Sequence, residues 1–500
     1  MPGESPFAAL SWTPVQDQDE QAGPDQTSPA ADLTSAPLFS QPAAWQAETP
    51  EAVHDSSPAT DIDWTVVADL VSTVSETVTE QEQRYAGEHQ GAQPDPQTRR
   101  VMTDPVIGQV VGDYARRREL DGELWDQADE NRYRKAATDQ MFGMGRLQPL
   151  FEIPDAENII INGTRPVIVD YNDGHRDTLP PVADSDEELV TQLQRMALNA
   201  TPPRAFDADH TDVTITHGQR FRIHAVSGEV ALHPSVVIRQ HLLTRISLGD
   251  MTRRNMIPVD VARFLDAAVQ DGATIVVAGD QGAGKTTFLR ALIHAIPHRE
   301  RFATLETDEE LFAHLDPGRD DVLTMFARDG MGDLDPETGR QIGAIEIGQL
   351  IPPALRQSLN RIVVGEVRGS EASAMFQAMQ SGAGTMSSIH AREPEEVASR
   401  LAMMIAQGRV YNLEEAMRQI GQSVDYIVFV RRRDLPDGSR IRFVERIEQV
   451  SIGDDYRPAL GQVYSADTLT GQMEEFRPGP AADRYGRLYR DLDYLEEGGR

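Results

Sequence analysis

The period of the hydrophobic pattern changes along the chain. Across residues 150–246 the apolar positions come as short β-branched runs, Ile159-Ile160-Ile161 and Val167-Ile168-Val169, separated by the turn signals Asn162-Gly163 and Asn172-Asp173-Gly174. A polar-apolar helical stretch at 186–200 interrupts them, so 146–248 reads as an α+β domain. Across 249–450 the runs become continuous. Thr274-Ile275-Val276-Val277-Ala278, Phe302-Ala303-Thr304-Leu305, Arg361-Ile362-Val363-Val364-Gly365 and Thr385-Met386-Ser387-Ser388-Ile389 read as buried parallel strands, and helical periods at 258–271 and 286–293 alternate with them. That alternation predicts an α/β domain.

Upstream, Trp64, Val67, Leu70, Val71, Val74 and Val78 recur at helical spacing and predict an amphipathic helix over 62–84, either docked on a partner or on the body of the protein or lying as a plain surface helix. Val106, Val110, Val111, Tyr114, Leu120, Leu124 and Trp125 alternate with charges and predict two or three further helices, completing a helical region at 61–145. Residues 1–60 show neither period. Nine prolines fall within 1–59, and fifteen Asp and Glu but no Lys or Arg within 1–83, which predicts a disordered acidic tail. Beyond 451 the chain turns polar and rich in Gly and Pro and reads as a C-terminal extension with a charged end at 485–500.

Composition narrows the chemistry. The absence of cysteine excludes disulfides, a thiolate nucleophile and thiolate zinc sites. A net charge of −33 repels nucleic acid, so no nucleic-acid partner is expected. No apolar run approaches the roughly 20 residues that span a bilayer, and a cytoplasmic protein is expected. Lysine is nearly absent. One of only two, Lys285, sits in Gly279-Asp280-Gln281-Gly282-Ala283-Gly284-Lys285-Thr286, between a predicted strand and a predicted helix.

That GxxxxGK[ST] pattern has a physical reading. The glycines let successive backbone N–H groups curl around phosphate, and a compact ammonium reaches the β- and γ-phosphates where a broad guanidinium would not. The helix N-terminus adds its positive dipole end, Thr286 offers a hydroxyl to Mg²⁺, and Thr287 is within reach of the α-phosphate. Three more strands end in groups suited to such a site. Arg361–Gly365 delivers Glu366, able to orient or deprotonate a water and to hold a Mg²⁺-bound one; Phe302–Leu305 runs into Glu306-Thr307-Asp308-Glu309-Glu310; Thr385–Ile389 delivers His390. Within the acidic cluster Glu306 and Glu310 are placed near the metal, and Asp308 and Glu309 read as solvated charges.

The loop, Glu366-Val367-Arg368-Gly369 and Ser387-Ser388-Ile389-His390-Ala391 together resemble the secretion ATPase superfamily of type II and type IV systems, most nearly the CpaF-like ATPases of Flp/Tad pili. Further matching stretches are Glu157-Asn158-Ile159-Ile160-Ile161-Asn162-Gly163, His217-Gly218-Gln219-Arg220, Val237-Ile238-Arg239 and Arg418-Gln419-Ile420. The resemblance, over about 150–450, implies a PAS-like N-terminal domain joined to a RecA-like P-loop motor. It also implies hexameric rings, ATP and Mg²⁺, and inner-membrane platform proteins of a pilus or secretion system as partners. By position it makes Lys285 and Thr286 the Walker A pair, Glu306 and Glu310 the acidic box, Glu366 the Walker B glutamate and His390 the His-box residue. Arg220 and Arg239 match arginines directed at nucleotide; Arg328 and Arg368 are weaker candidates for the same work. The protein is then expected on the inner face of the membrane, peripherally bound.

Three departures stand out: Thr307 replaces an acidic residue, Asn360 stands where Asp is common, and Ala383 takes the place of the first His-box histidine. They put regulation of hydrolysis in question more than nucleotide binding. A nucleic-acid translocase of related fold and a low-turnover nucleotide-binding regulator remain open alternatives.

Overall fold

The computed structural model describes residues 62–122, 124–200, 203–218, 220–328, 330, 342–369, 371–379, 384–453 and 455–479. The acidic tail, Gln219, Ala383 and the charged end at 485–500 lie outside them. Three helices come first: α1 (Trp64–Glu88), α2 (Pro96–Leu120) and α3 (Gln127–Phe142). The apolar stripe read for α1 buries Val67, Leu70, Val74 and Val78, and α1 packs on α2 and α3, so the body itself receives that face. Asp95 caps α2 by accepting from the Gln97 and Thr98 amides, with Pro96 at the first helical position where its missing N–H costs nothing. Asp126 and Asp129 close a capping box on α3.

A six-stranded antiparallel sheet follows. Its strands are β1 (Ala156–Asn162), β2 (Val167–Tyr171), β3 (Arg176–Leu179), β4 (Asp212–His217), β5 (Phe221–Val226) and β6 (Ser235–Gln240), in the spatial order β3-β2-β1-β6-β5-β4. The helix α4 (Asp186–Asn199), capped by Ser185, covers one face and buries Leu189, Leu193 and Met196 against it. Residues alternate between faces with a period of two, so β5 buries Phe221, Ile223 and Ala225 and turns Arg222 and His224 outward.

The second sheet has nine strands. After α5 (Leu248–Arg253) and α6 (Val259–Gln270) come β7 (Ile275–Gly279), α7 (Lys285–His294), β8 (Phe302–Glu306), β9 (Val322–Phe326), α8 (Ile347–Ala354), β10 (Arg361–Val367), α9 (Glu371–Met379), β11 (Gly384–His390), α10 (Val397–Gln407), α11 (Leu413–Ser423), β12 (Tyr426–Asp434), β13 (Arg440–Ile452), β14 (Pro458–Ala466) and β15 (Met473–Phe476). The order is β15-β14-β13-β12-β7-β11-β10-β8-β9, parallel from β12 to β9 and antiparallel from β12 to β15. Both faces of the parallel part are covered: Ile275 and Val277 of β7 pack with α6 and α7, and Val276 and Ala278 pack with the α9 and α10 side. Burial on both faces explains the unbroken apolar runs. β14 and β15 carry this same sheet past residue 451 to Phe476, through residues whose polar texture reflects an exposed antiparallel edge. Among the described residues no helix is long and apolar enough to cross a membrane.

Candidate functional site

The glycine-rich loop leaves the tip of β7 and enters α7. Gly279 has φ +153°, and a Cβ there would lie 2.2 Å from the Val430 carbonyl oxygen on the flanking β12, so only glycine permits that approach. Gly282 and Gly284 take φ +71° and +96°, left-handed values that turn the chain back onto the helix. The result is a set of backbone amides at a helix N-terminus, a cradle for an anion.

Lys285, 7 % exposed, points into this cradle. Its Nζ donates to the Asp280 carbonyl at 3.0 Å and lies 3.0 Å from His390 Nδ1. Register explains the second contact, because His390, last in β11, pairs directly with Gly279. Burial lowers the Lys285 pKa to about 8 against the opposing pull of Glu366 and Asp280. An arriving phosphate supplies the negative charge that this buried ammonium lacks.

His390 Nε2 is 2.8 Å from Glu366 Oε1, yet that oxygen is buried with no donor aligned on it. Glu366 Oε2 accepts from Arg368 Nε at 2.8 Å. Burial raises the Glu366 pKa, but His390 and Arg368 outweigh it and hold the carboxyl at about 2. Sequence places Glu366 just after a strand ending at Gly365; β10 instead continues to Val367, with its ladder to β11 broken between Val364 and Val367. The Ser388 hydroxyl takes the freed Gly365 carbonyl at 2.7 Å, and the irregularity turns Glu366 toward His390.

The acidic cluster closes the same edge. Glu306, at the tip of β8 and 2 % exposed, accepts from the Glu310 and Leu311 amides at 2.8 and 2.7 Å through Oε2. Its Oε1 is buried without a partner, and burial pushes its pKa up to about 7. Glu310 accepts from the Thr286 hydroxyl at 3.3 Å and from Arg222 Nη1 at 3.1 Å. Burial opposes its ionisation, but Arg239, His241, Arg222 and Arg290 together keep its pKa low. Asp308, read as solvated, pairs with Arg222 at 2.6 Å, and Glu309 lies 3.3 Å from His314.

The antiparallel sheet supplies the cations. Arg222 and Arg239 are cross-strand partners on β5 and β6, so both lie on the polar face, and Arg239 acts on Glu310, Lys285 and Arg290 through its charge. Arg220 is placed elsewhere. It belongs to the turn before β5, and with the Gln240 amide oriented to donate to the Ile153 and Ala156 carbonyls, Gln240 oxygen accepts from Arg220 Nε at 2.8 Å. Sequence reading missed Arg222; the signal was available, since it is the first polar-face position of the strand. It also missed Arg290, buried on α7, which donates to the Glu310 carbonyl and to the Leu243 carbonyl at 2.7 Å and lies 3.3 Å from His241 Nδ1. Burial, helped by Arg290, lowers the His241 pKa to about 4.

Arg328 donates to the Gly343 carbonyl at 3.0 Å, within its own loop, while Arg368 is held by Glu366. Asn360 ties β10 to Arg301 by two hydrogen bonds at 2.7 and 3.1 Å, and Thr307 is exposed. Among the described residues no three Asp, Glu or His converge on a metal position. The Thr286 hydroxyl beside Glu310, with no aligned donor on Glu306 Oε1 and only the His390 imidazole beside Glu366 Oε1, suits an ion that takes most ligands from phosphate and water, as Mg²⁺ does.

A strand–loop–helix anion cradle at the carboxyl edge of a parallel sheet, ringed by carboxylates and faced by arginines, defines the class of site. The chain belongs to the Type II/IV secretion system protein family, whose model matches residues 189–448, just over half of it. It is 37 % identical over 185 residues to "Type IV secretion system protein PtlH" of Bordetella pertussis, covering 36 % of this chain and 52 % of that one. With "Protein VirB11" of Agrobacterium fabrum it shares 31 % identity over 173 residues, 34 % of this chain and 47 % of that one. The chain thus spans about half the length of these relatives. A likeness to the crystal structure of the VirB11 ATPase from the Brucella suis type IV secretion system has 24 % identity and a TM-score of 0.32, over 63 % of this chain and 98 % of that one.

Proposed function

We propose that the protein is an ATP-hydrolysing ring motor that powers pilus assembly or protein secretion, of the CpaF-like kind. The observation that carries this reading is the line Lys285, His390, Glu366 at the mouth of the glycine-rich loop. The loop amides from Gly279 to Thr287 cradle the phosphates, and Lys285 exchanges the Asp280 carbonyl and His390 for the β- and γ-phosphates. The Thr286 hydroxyl and Glu366 are the residues that would hold Mg²⁺, which would supply positive charge to neutralise the phosphates. Glu366, with a pKa near 2, is a weak base and acts mainly by orienting the attacking water. His390 bonds the γ-phosphate and is released when it leaves. Glu306 and Glu310 hold the loop that Arg222 and Arg239 face, and those guanidiniums neutralise charge developing on the transferred group. The arginine role assigned from resemblance to Arg220 passes to Arg222.

In this reading 146–248 is the PAS-like domain and 249–450 the RecA-like one, and ATP draws the first onto the second so that closure does work. The protein works as a homo-oligomer, a hexamer, in the cytoplasm against inner-membrane platform proteins. The name of the relative PtlH, a type IV secretion system protein, supports a place in a secretion system. Phosphate release by wild type and Glu366→Gln tests it: equal turnover in the two, or none in wild type, removes the motor. Salt-dependent DNA binding would instead favour the translocase.

A further inference from the structure

The acid–base groups around the loop all lie on one side of β7. His390 is on the adjacent β11, Glu366 on β10, and Glu306 at the tip of β8 with Glu310 just beyond, in the strand order β7-β11-β10-β8. Lys285 leans the same way, toward His390. A triphosphate gripped there has its terminal phosphate over β11 and β10. Its other end must then emerge across the loop, over β12 on the opposite flank of β7.

β12 carries three consecutive arginines at that point. Arg431 is bound to Glu445 and Glu393, and Arg433 donates to the Thr468 carbonyl at 2.8 Å. Arg442, opposite Arg432 in the ladder, is also occupied: it donates to the Gly282 carbonyl at 3.0 Å, to Asn172 Oδ1 at 2.7 Å and to both Glu157 oxygens at 3.0 and 2.9 Å. Arg432 differs. Its side chain is 35 % exposed, and its ion pair among the described residues is with Asp434 at 3.8 Å. Yet it lies against the loop, because a Cβ on Gly282 would be 2.7 Å from Arg432 Nη1. The guanidinium occupies the space that glycine leaves open at the loop's tip.

The geometry points to Arg432 as a binding residue for the nucleoside half of the nucleotide, pairing with its α-phosphate and covering its sugar. This rests on the site reading given above. A guanidinium suits the task because its planar fork pairs with phosphate oxygens while its face covers an adjacent ring. The α-phosphate and sugar are the same in ATP and ADP and do not change during hydrolysis, so Arg432 contributes equally to ground state and transition state.

The experiment uses the full chain with Arg432→Gln, Arg432→Lys and Lys285→Ala, titrated with fluorescent ADP and ATP analogues and assayed for turnover. Arg432→Gln is expected to weaken ADP and ATP by the same factor, about tenfold, and to raise KM accordingly with kcat within about twofold. Arg432→Lys, which keeps the charge, recovers part of the loss. The nucleotide-free unfolding midpoint stays at the wild-type value in both. Wild-type affinity in Arg432→Gln beside lost binding in Lys285→Ala overturns the Arg432 role and leaves the site standing. Wild-type affinity in Lys285→Ala as well removes the site and this role with it. A fall in kcat at unchanged KM, or equal losses in both Arg432 variants with a lowered midpoint, also overturns it, by placing the residue at the transferred phosphate or in packing.

Discussion

The two sheets position their charges by different rules. In the parallel sheet, β7 and β8 are buried along their whole length, so the charged and imidazole groups that face the loop sit where strands end: Glu306, His390, and Glu366 at the break in β10. In the antiparallel sheet α4 leaves one face open, and Arg222 and Arg239 project from within β5 and β6 on that face. At a strand end, chain order alone decides which side chains meet. On an open face, position depends on where the strand begins, and a shift of one residue moves a side chain to the other side.

The largest effect tests the strand-end rule. Lys285→Ala is expected to abolish nucleotide binding and turnover, measured by analogue titration and phosphate release, while the circular dichroism spectrum is unchanged. Nothing else in the cradle replaces a buried ammonium, as Thr286 and the loop amides carry no full charge. Unchanged steady-state hydrolysis would detach the loop from function. Glu366→Gln follows, with a loss of kcat on the order of 10²–10⁴ at a nearly constant KM. A change confined to KM would make Glu366 a binding group.

Glu306→Gln probes the cost of putting a carboxylate at such a tip. The Glu306 pKa is raised from 4.5 to about 7 by burial, so the native state favours its protonated form. The stability this contributes is complete below the unfolded value and is lost as pH rises through 7. Glutamine keeps the acceptor for the Glu310 and Leu311 amides without the charge. The variant should match wild type near pH 4 and exceed it above pH 7 by up to about 3 kcal/mol in urea unfolding. A constant difference across pH would mean that Glu306 is ionised throughout, held so by a cation.

The same contrast explains what the sequence revealed. Thr274–Ala278, Phe302–Leu305, Arg361–Gly365 and Thr385–Ile389 were legible as strands because burial on both faces leaves continuous apolar runs, and the groups that follow them fall on one edge by topology. The bulge that turns Glu366 was not legible, since the Ser388 to Gly365 hydrogen bond that compensates it joins different strands. Nor was the continuation of the sheet through β14 and β15, whose residues are half exposed and lack an apolar run. Arg290 and His241 were hidden for another reason: a buried arginine on an amphipathic helix looks like any polar-face residue until the Leu243 and Glu310 carbonyls are seen around it.

The smallest effect is the sharpest test of the open-face rule. Arg222 and Arg220 are both exposed-side arginines by spacing, separated by Phe221. Gly218, with φ +60°, turns the chain before β5 begins at Phe221, which sends Arg220 to Gln240 and leaves Arg222 facing Asp308 and Glu310. Arg222→Ala and Arg239→Ala are therefore expected to lower kcat about tenfold with smaller changes in KM, because each contact should strengthen as charge develops on the transferred group. Since the two are cross-strand neighbours acting on one carboxylate, the double variant should lose less than the product of the single losses. Arg220→Ala should stay within about twofold of wild type in kcat, its role being to tie the turn to β6. If Arg220→Ala instead loses turnover while Arg222→Ala keeps it, the arginine that meets nucleotide during catalysis is not the one that faces Glu310 in this structure. The antiparallel sheet would then have to shift against the loop by more than a side-chain rotation.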